Sequence, residues 1–185
     1  FWADLLRIPT NVDYTLYYRE WIKDQIRNNT PYDDLVHLLV SGHGLIFDNP
    51  AAAYYLRDAG MALDNMSNSV RIFLGTRLEC AQCHDHPFER WTQNQYYEFG
   101  AFFAQVAFKR GTLGRDHLIR TGESYAYEQV SEEVVYHNDQ GGEIKHPKDD
   151  AVVAPKVPYG ENRSIAAGED RREAFAAWLT SKDNP

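Results

Sequence analysis

The sequence predicts a mainly α-helical fold that carries one small β-hairpin in its C-terminal half. Apolar side chains recur at intervals of three and four residues in several segments of the first 110 residues, as they do in amphipathic helices. After residue 124 the composition changes, and two β-forming segments flank a glycine-containing turn. A final amphipathic segment near residue 175 predicts one more helix.

The helix boundaries follow from capping residues and from the apolar repeat. Thr30 suits the N-cap of one helix, and Pro31 suits its first position. Thr92 is the candidate N-cap of another helix, which is apolar around much of its circumference and is therefore expected to be buried. The predicted helices cover residues 13–28, 31–42, 61–74, 93–108 and 169–181, and a shorter one follows Pro50.

The predicted hairpin joins residues 133–137 to residues 143–146. Both segments contain β-forming side chains, and residues 138–142 between them end in two glycines. Residues 111–123 are rich in Gly, Arg and Thr, so we predict a loop there.

Charge and hydropathy exclude two classes of partner. The chain has 19 basic and 27 acidic side chains and a net charge of −8, which disfavours binding to nucleic acid or to an anionic membrane. No apolar run approaches the roughly 18–20 residues that cross a bilayer, so we expect no membrane insertion within this chain. Because the chain begins at Phe1 and not at Met, we expect it to be a processed or excised piece of a longer product.

The two cysteines of the chain form the most informative motif. Cys80 and Cys83 are followed directly by His84, which completes the Cys-x-x-Cys-His pattern of covalent c-type haem attachment. In that chemistry two thiols add across the porphyrin vinyl groups and the histidine ligates the iron. The motif predicts haem c as cofactor, with Cys80 and Cys83 as thioether sites and His84 as proximal iron ligand.

Three other interpretations of the cysteine pair stay open. Two thiolates and two imidazoles are a legitimate tetrahedral zinc set, although adjacent ligands would be cramped. A redox dithiol is the second alternative, and a pair of reduced, structural thiols is the third. The alternative zinc set consists of Cys80, Cys83, His84 and His86.

The distal side of the iron is either open or closed by one of two candidate ligands. Met66 lies on the apolar stripe of its helix, and His43 lies between two glycines that leave the backbone free to aim it. His86 is too close in sequence to His84 to reach the opposite face of the same ring easily. The remaining histidines are interpreted as surface or strand residues with no ligating role: His37, His117, His137 and His146.

The segment around the motif, residues 73–93, resembles the second planctomycete-specific cytochrome domain, a domain of unknown function found in large secreted bacterial proteins. The resemblance continues through residues 96–104 and covers residues 29–34 upstream. Residues 170–181 look like the start of the domain that usually follows. The resemblance implies the same roles for Cys80, Cys83 and His84, and it includes His86 and Pro87 without giving them a role.

These observations predict three segments. Residues 1–110 form a helical haem-binding domain, residues 111–168 form a loop and β-hairpin extension, and residues 169–185 form a C-terminal helix that leads to a following domain. The expected function is electron transfer in the periplasm or elsewhere outside the cytoplasm, with a basic redox partner, within a larger multidomain protein or assembly. The alternative is a structural zinc-binding or interaction domain of a secreted multidomain protein.

Overall fold

The computed structural model describes residues 1–9, 15–110, 115–121, 124–130, 133–160, 164–182 and 184. Within these ranges the protein is mainly helical and contains a small three-stranded sheet, so the predicted fold class is confirmed. None of the helices in the described ranges has the length and apolarity that a transmembrane span requires.

The helices lie close to where the apolar repeat predicts them. The α-helices are α1 (Trp2–Leu5), α2 (Thr15–Arg27), α3 (Tyr32–Ser41), α4 (Ala62–Phe73), α5 (Gln93–Phe103) and α6 (Arg171–Leu179). Two 3-10 helices cover Pro50–Asp58 and Glu79–Gln82. The strands are β1 (Gly44–Leu45), β2 (Val106–Arg110), β3 (Arg115–Thr121), β4 (Ser124–Val130) and β5 (Glu133–His137).

The chain divides into two compact units. The first unit contains Phe1–Arg57 and Phe108–Tyr136, and the second contains Asp58–Ala107 and His137–Pro185. The cysteine motif and the three helices α4, α5 and α6 belong to the second unit. The segment boundaries predicted at residues 110 and 168 stay a prediction.

The first unit is built on the apolar faces of α2 and α3. Tyr18 and Ile22 of α2 are buried, as are Leu35, Val36, Leu39 and Val40 of α3. The predicted N-cap at Thr30 is wrong. Pro31 precedes the first helical residue without a side-chain cap, and the Thr30 hydroxyl donates instead to Gln25 Oε1 at 2.9 Å.

The predicted N-cap at Thr92 is confirmed. Its hydroxyl accepts the Gln95 N–H at 3.2 Å, and the Gln95 side chain accepts the Thr92 N–H at 3.0 Å, which completes a capping box. The helix ends at Phe103, five residues before the predicted end at Phe108, because the chain enters β2 at Val106. Sheet pairing in β2 overrides the helical periodicity there.

An aromatic cluster forms the core of the second unit. The Phe175 ring centroid lies 5.7 Å from that of Phe99, 5.3 Å from that of Phe102, 5.2 Å from that of Phe103 and 5.6 Å from that of Trp178. The first three contacts join α6 to α5, and all four have the edge-to-face or tilted geometry that aromatic rings prefer. The burial predicted for α5 is confirmed, since eight of its residues are buried.

The predicted hairpin is wrong in its pairing. Residues 133–137 form a strand, but β5 pairs antiparallel with β1, and in residues 143–146 only Lys145 forms an isolated bridge, with Val152. The turn of residues 138–142 contacts the residues that follow α5 instead. Asn138 N–H donates to Gln105 O at 2.8 Å, and Gly142, with φ +79°, contacts Ala104 so closely that a Cβ would clash with its carbonyl.

The predicted loop over residues 111–123 is also wrong in part. Residues 115–121 form β3, which pairs in antiparallel register with β4, from Arg115 opposite Val130 to Thr121 opposite Ser124. Residues 111–114 and 122–123 lie outside the described residues. The β-forming residues Leu118 and Ile119 are the sequence signal for this strand, and the Gly and Arg residues around them obscure it.

A buried ion pair begins α6. Asp170 is the N-cap and accepts the Arg172 N–H at 3.0 Å, while its carboxylate accepts from Arg172 Nε at 3.0 Å and Nη2 at 2.6 Å. Burial raises the pKa of Asp170, but the hydrogen bonds and positive charge of Arg172 outweigh burial and hold that pKa below its usual 3.8. His137 Nδ1 lies 3.9 Å from the same carboxylate.

Replacing Phe103 by Ala should lower the free energy of unfolding by about 3–5 kcal/mol, because the side chain is fully buried against Phe175. Phe88→Ala is the matched control, since Phe88 is 90% exposed. We expect that variant to lie within about 0.5 kcal/mol of the parent in urea unfolding. Equal losses in the two variants would contradict the assignment of the core.

Asp170→Asn should destabilise the protein at pH 7 by about 3 kcal/mol, because it leaves the buried Arg172 without its counter-charge. The folded pKa of Asp170 is lowered, so its stabilisation is present above the unfolded pKa of about 3.9 and is lost as pH falls through the folded value. Urea midpoints of parent and variant should therefore converge as the pH falls below about 4. Asp24→Asn, in an exposed ion pair with Arg27, is the control, and a difference independent of pH for Asp170→Asn would contradict the linkage.

Candidate functional site

The cysteine pair lies on a short turn with one buried side and one exposed side. Cys80 is within the 3-10 helix, and Cys83 is the residue that ends it. Leu78 and Ala81 are fully buried and hold the inner side of the turn. Both thiols are free and exposed, so each is accessible from solution.

Helix α5 holds the turn through the carbonyl of Gln82. That oxygen accepts hydrogen bonds from Gln93 Nε2 at 3.0 Å and from the Tyr97 hydroxyl at 3.1 Å. Gln93 and Tyr97 are four residues apart and therefore lie on one face of the helix. Both are buried, which restricts the movement of the turn.

The same helix holds the residue that follows His84. Asp85 Oδ1 accepts the Gln93 N–H at 2.9 Å, at the amino end of α5, where a carboxylate is favoured by the helix dipole. Gln93 thus bonds the residues on both sides of the Cys83-His84 pair. We call Gln82, Asp85, Gln93 and Tyr97 the motif clamp.

The hydrogen bonding of His84 leaves its Nε2 available to ligate a metal ion. Its side chain is exposed, and its Nδ1 lies 2.7 Å from the carbonyl oxygen of Asp85. A carbonyl oxygen can only accept, so Nδ1 carries the proton and donates. The lone pair is then on Nε2, and a metal-bound histidine almost always donates its other N–H in this way.

His86 has the opposite arrangement. Its Nδ1 accepts the N–H of Phe88 at 3.3 Å and that of Glu89 at 3.0 Å, so a neutral ring carries its proton on Nε2. Metal ligation through Nε2 would require the proton to move to Nδ1 and both bonds to break. Among the described residues, no three His, Cys, Asp or Glu side chains are grouped so that they could hold a metal ion. This geometry disfavours the zinc set.

The two candidate distal ligands lie in different units. Met66 is fully buried on the face of α4 that contacts the core of the second unit. His43 is an exposed residue of the first unit, and its Nδ1 donates to Ser41 O at 3.1 Å, which leaves the lone pair on Nε2. Distal ligation by either residue stays a prediction.

A cavity of about 770 Å³ adjoins the motif, within the range of about 300–1,000 Å³ typical of cofactor sites. Its lining combines one motif thiol, two guanidinium groups, an imidazole and an exposed aromatic ring: Cys80, Arg71, Arg77, His86 and Phe88. Glu79 and Glu89 also line the cavity, whereas Cys83 and His84 do not. The fit of a haem therefore rests on the donor set of the motif, which is two exposed thiols and the Nε2 lone pair of His84, and not on this cavity.

The interpretation of His146 as a surface or strand residue is wrong, because it is buried and lies outside the strands of the described residues. The side chain is buried, its ring centroid lies 5.3 Å from that of Tyr97, and its Nδ1 accepts the Lys148 N–H at 3.3 Å. Burial raises the pKa of Tyr97, and the charge of a Cys83 thiolate raises it further, so the hydroxyl stays protonated as the donor to Gln82. A lone histidine before a proline gave no signal of this packing.

Comparison with known proteins identifies the family. The family model of PSCyt2, described as a protein of unknown function (DUF1549), matches residues 1–108, which is more than half of the 185 residues. The chain therefore belongs to this family, whose name denotes a planctomycete cytochrome-like domain. Searches of curated proteins and of solved structures gave no match.

Asp85→Ala should lower the free energy of unfolding by about 1 kcal/mol and speed exchange of the Gln93 amide hydrogen, because that N–H loses its acceptor at the amino end of α5. Asp85→Asn is the matched control, since its side-chain oxygen can still accept the bond. Unchanged exchange at Gln93 in the Ala variant would show that Asp85 does not hold the motif to the helix.

Proposed function

We propose that this PSCyt2 domain attaches one haem covalently through Cys80 and Cys83, ligates its iron through His84, and transfers electrons outside the cytoplasm. The observation that carries the proposal is the contact of 2.7 Å between His84 Nδ1 and Asp85 O, which makes Nδ1 the donor and leaves the lone pair on Nε2, in a motif whose two thiols are exposed.

The attachment step balances without an added oxidant. Each thiol adds across one vinyl group, so that a carbon–sulfur bond forms, the vinyl π bond breaks and the thiol proton passes to the neighbouring carbon. The step requires reduced thiols at the surface, and Cys80 and Cys83 are both free and exposed. Their separation by two residues lets both sulfurs reach one edge of the porphyrin.

The motif clamp supports ligation by His84. The backbone carbonyl of Asp85 accepts a hydrogen bond from His84 Nδ1, while its side chain accepts one from the Gln93 N–H of α5. The ring is therefore oriented by a residue that is itself held, and donation from Nδ1 makes Nε2 a stronger base. His86 is two residues away but uses its Nδ1 to accept bonds, so the two histidines are not interchangeable.

Electron transfer follows from the chemistry of the cofactor. Haem iron supplies one-electron exchange when bound, and a closed sixth position favours that use over binding of a substrate. Met66 and His43 remain the proposed ligands for that position. The net charge of −8 favours a basic redox partner whose association weakens as salt rises. An extracytoplasmic location follows because apocytochromes are matured outside the cytoplasm.

The mass and the absorption spectrum of protein produced with a haem-attachment system test the proposal. The intact mass should exceed that of the polypeptide by one haem, and the colour should remain with the protein after acid–organic extraction. His84→Ala should disturb iron ligation, whereas His86→Ala should keep the iron ligation of the parent, because the Nδ1 of His86 already accepts two backbone hydrogen bonds. Stoichiometric zinc without a Soret band would contradict the proposal, as would an unchanged spectrum in His84→Ala.

A further inference from the structure

We propose that the groove between the first half of α5 and residues 151–156 binds an extended peptide that carries basic side chains. The groove belongs to the second unit and shares no lining residue with the cysteine motif, so the inference goes beyond the proposed function. Its cavity of about 520 Å³ is within the range of about 300–1,000 Å³ typical of ligand sites. The lining consists of Asn94, Glu98, His146, Asp149 and residues 151–156.

The backbone at Val152 is paired on one side only. Val152 forms an isolated antiparallel bridge with Lys145. Two backbone hydrogen bonds flank the bridge and join its neighbouring residues at 2.9 and 2.8 Å. In this pattern the bridged pair is the one without hydrogen bonds between its own members, so the N–H and C=O groups of Val152 point away from Lys145.

The outward edge has no partner in the described part of the chain. The N–H and C=O groups of Val152 and Ala154 make no hydrogen bond with the described residues, and the Val152 side chain is 59% exposed. Two residues further on, Lys156 N–H donates to Glu98 O of α5 at 3.4 Å, so the segment meets the helix there. An extended peptide recognises an unpaired strand edge of this kind through its own N–H and C=O groups.

The wall of the cavity also contains a polar atom without a partner. His146 lines the cavity and is 8% exposed. Its Nδ1 accepts the Lys148 N–H at 3.3 Å, so a neutral ring carries its proton on Nε2. That Nε2 is buried and has no hydrogen-bond partner among the described residues. A donor of this kind favours a ligand with carbonyl oxygens, which a peptide supplies at every residue.

The charged groups of the groove favour a basic ligand. Glu98 is half-buried, and its carboxylate makes no hydrogen bond or ion pair with the described residues. Burial raises the pKa of Glu98, and the positive charge of Lys156 opposes that rise. With Asp149, the lining holds two carboxylates and one ammonium group. A basic side chain on the ligand provides the ion pair that Glu98 lacks.

Amide hydrogen exchange of the full chain with a defined probe tests the site. The probe is an acetylated and amidated hexapeptide of alternating valine and lysine, and the comparison peptide has glutamate in place of lysine. The N–H groups of Val152 and Ala154 should exchange about fivefold more slowly at saturating lysine peptide, because they gain hydrogen bonds. Exchange at Val153, whose N–H is already bonded, is the internal control. Titration of ¹⁵N shifts should show about threefold tighter binding of the lysine peptide.

Two substitutions in the groove should change the affinity in opposite directions. Glu98→Gln should weaken binding of the lysine peptide by about threefold, because it removes an attracting charge. Lys156→Gln should strengthen binding by about the same factor, because it removes a repelling charge. Glu89→Gln is the matched control, since Glu89 is an exposed acid outside this lining. Thermal midpoints establish that the variants fold.

N-methylation of the peptide separates strand addition from charge attraction without altering the protein. Methylating the amides along one edge of the peptide should abolish binding, and methylating those along the other edge should not. Equal effects of the two methylations would overturn the peptide site, as would lysine and glutamate peptides of equal affinity. Unchanged exchange at Val152 and Ala154, or absence of binding, would overturn it as well. None of these results bears on the mass and spectrum that test haem attachment.

Discussion

The geometry of the motif depends on Gln93, which bonds the residue before Cys83 and the residue after His84. Its side chain donates to Gln82 O and its backbone N–H donates to Asp85 Oδ1, at 3.0 and 2.9 Å. Because Gln93 is 3% exposed, these bonds are protected from competing water. The aromatic cluster around Phe175 matters to the site because it holds α5 in place, and α5 in turn holds the turn that carries the motif.

Backbone hydrogen bonds give different tautomers to His84 and His86, which are separated by one residue. The carbonyl of Asp85 sets the proton of His84 on Nδ1, and the N–H groups of Phe88 and Glu89 set the proton of His86 on Nε2. Ligation through Nε2 is therefore available at His84 without breaking a bond, and at His86 only after two bonds are lost. The selection of one histidine is made by backbone hydrogen bonds, which residue identity does not encode.

The sequence was sufficient where the signal is local. The apolar repeat located α4 and α5, the Thr92 capping box located the start of α5, and the five-residue motif located the candidate site. It failed where a distant contact decides. The segment after β5 does not pair with β5, because Gly142 packs against Ala104. His146 is buried because Tyr97 packs against its ring. Neither contact leaves a periodic or compositional trace.

Nitrogen NMR of the imidazole rings, recorded on the protein without cofactor, tests directly which tautomers His84 and His86 adopt. At a pH where both rings are neutral, the ¹⁵N shifts and their couplings to ring protons report which nitrogen carries the proton. We expect the Nδ1–H tautomer at His84 and the Nε2–H tautomer at His86. The same tautomer at both residues, or Nε2–H at His84, would contradict these assignments.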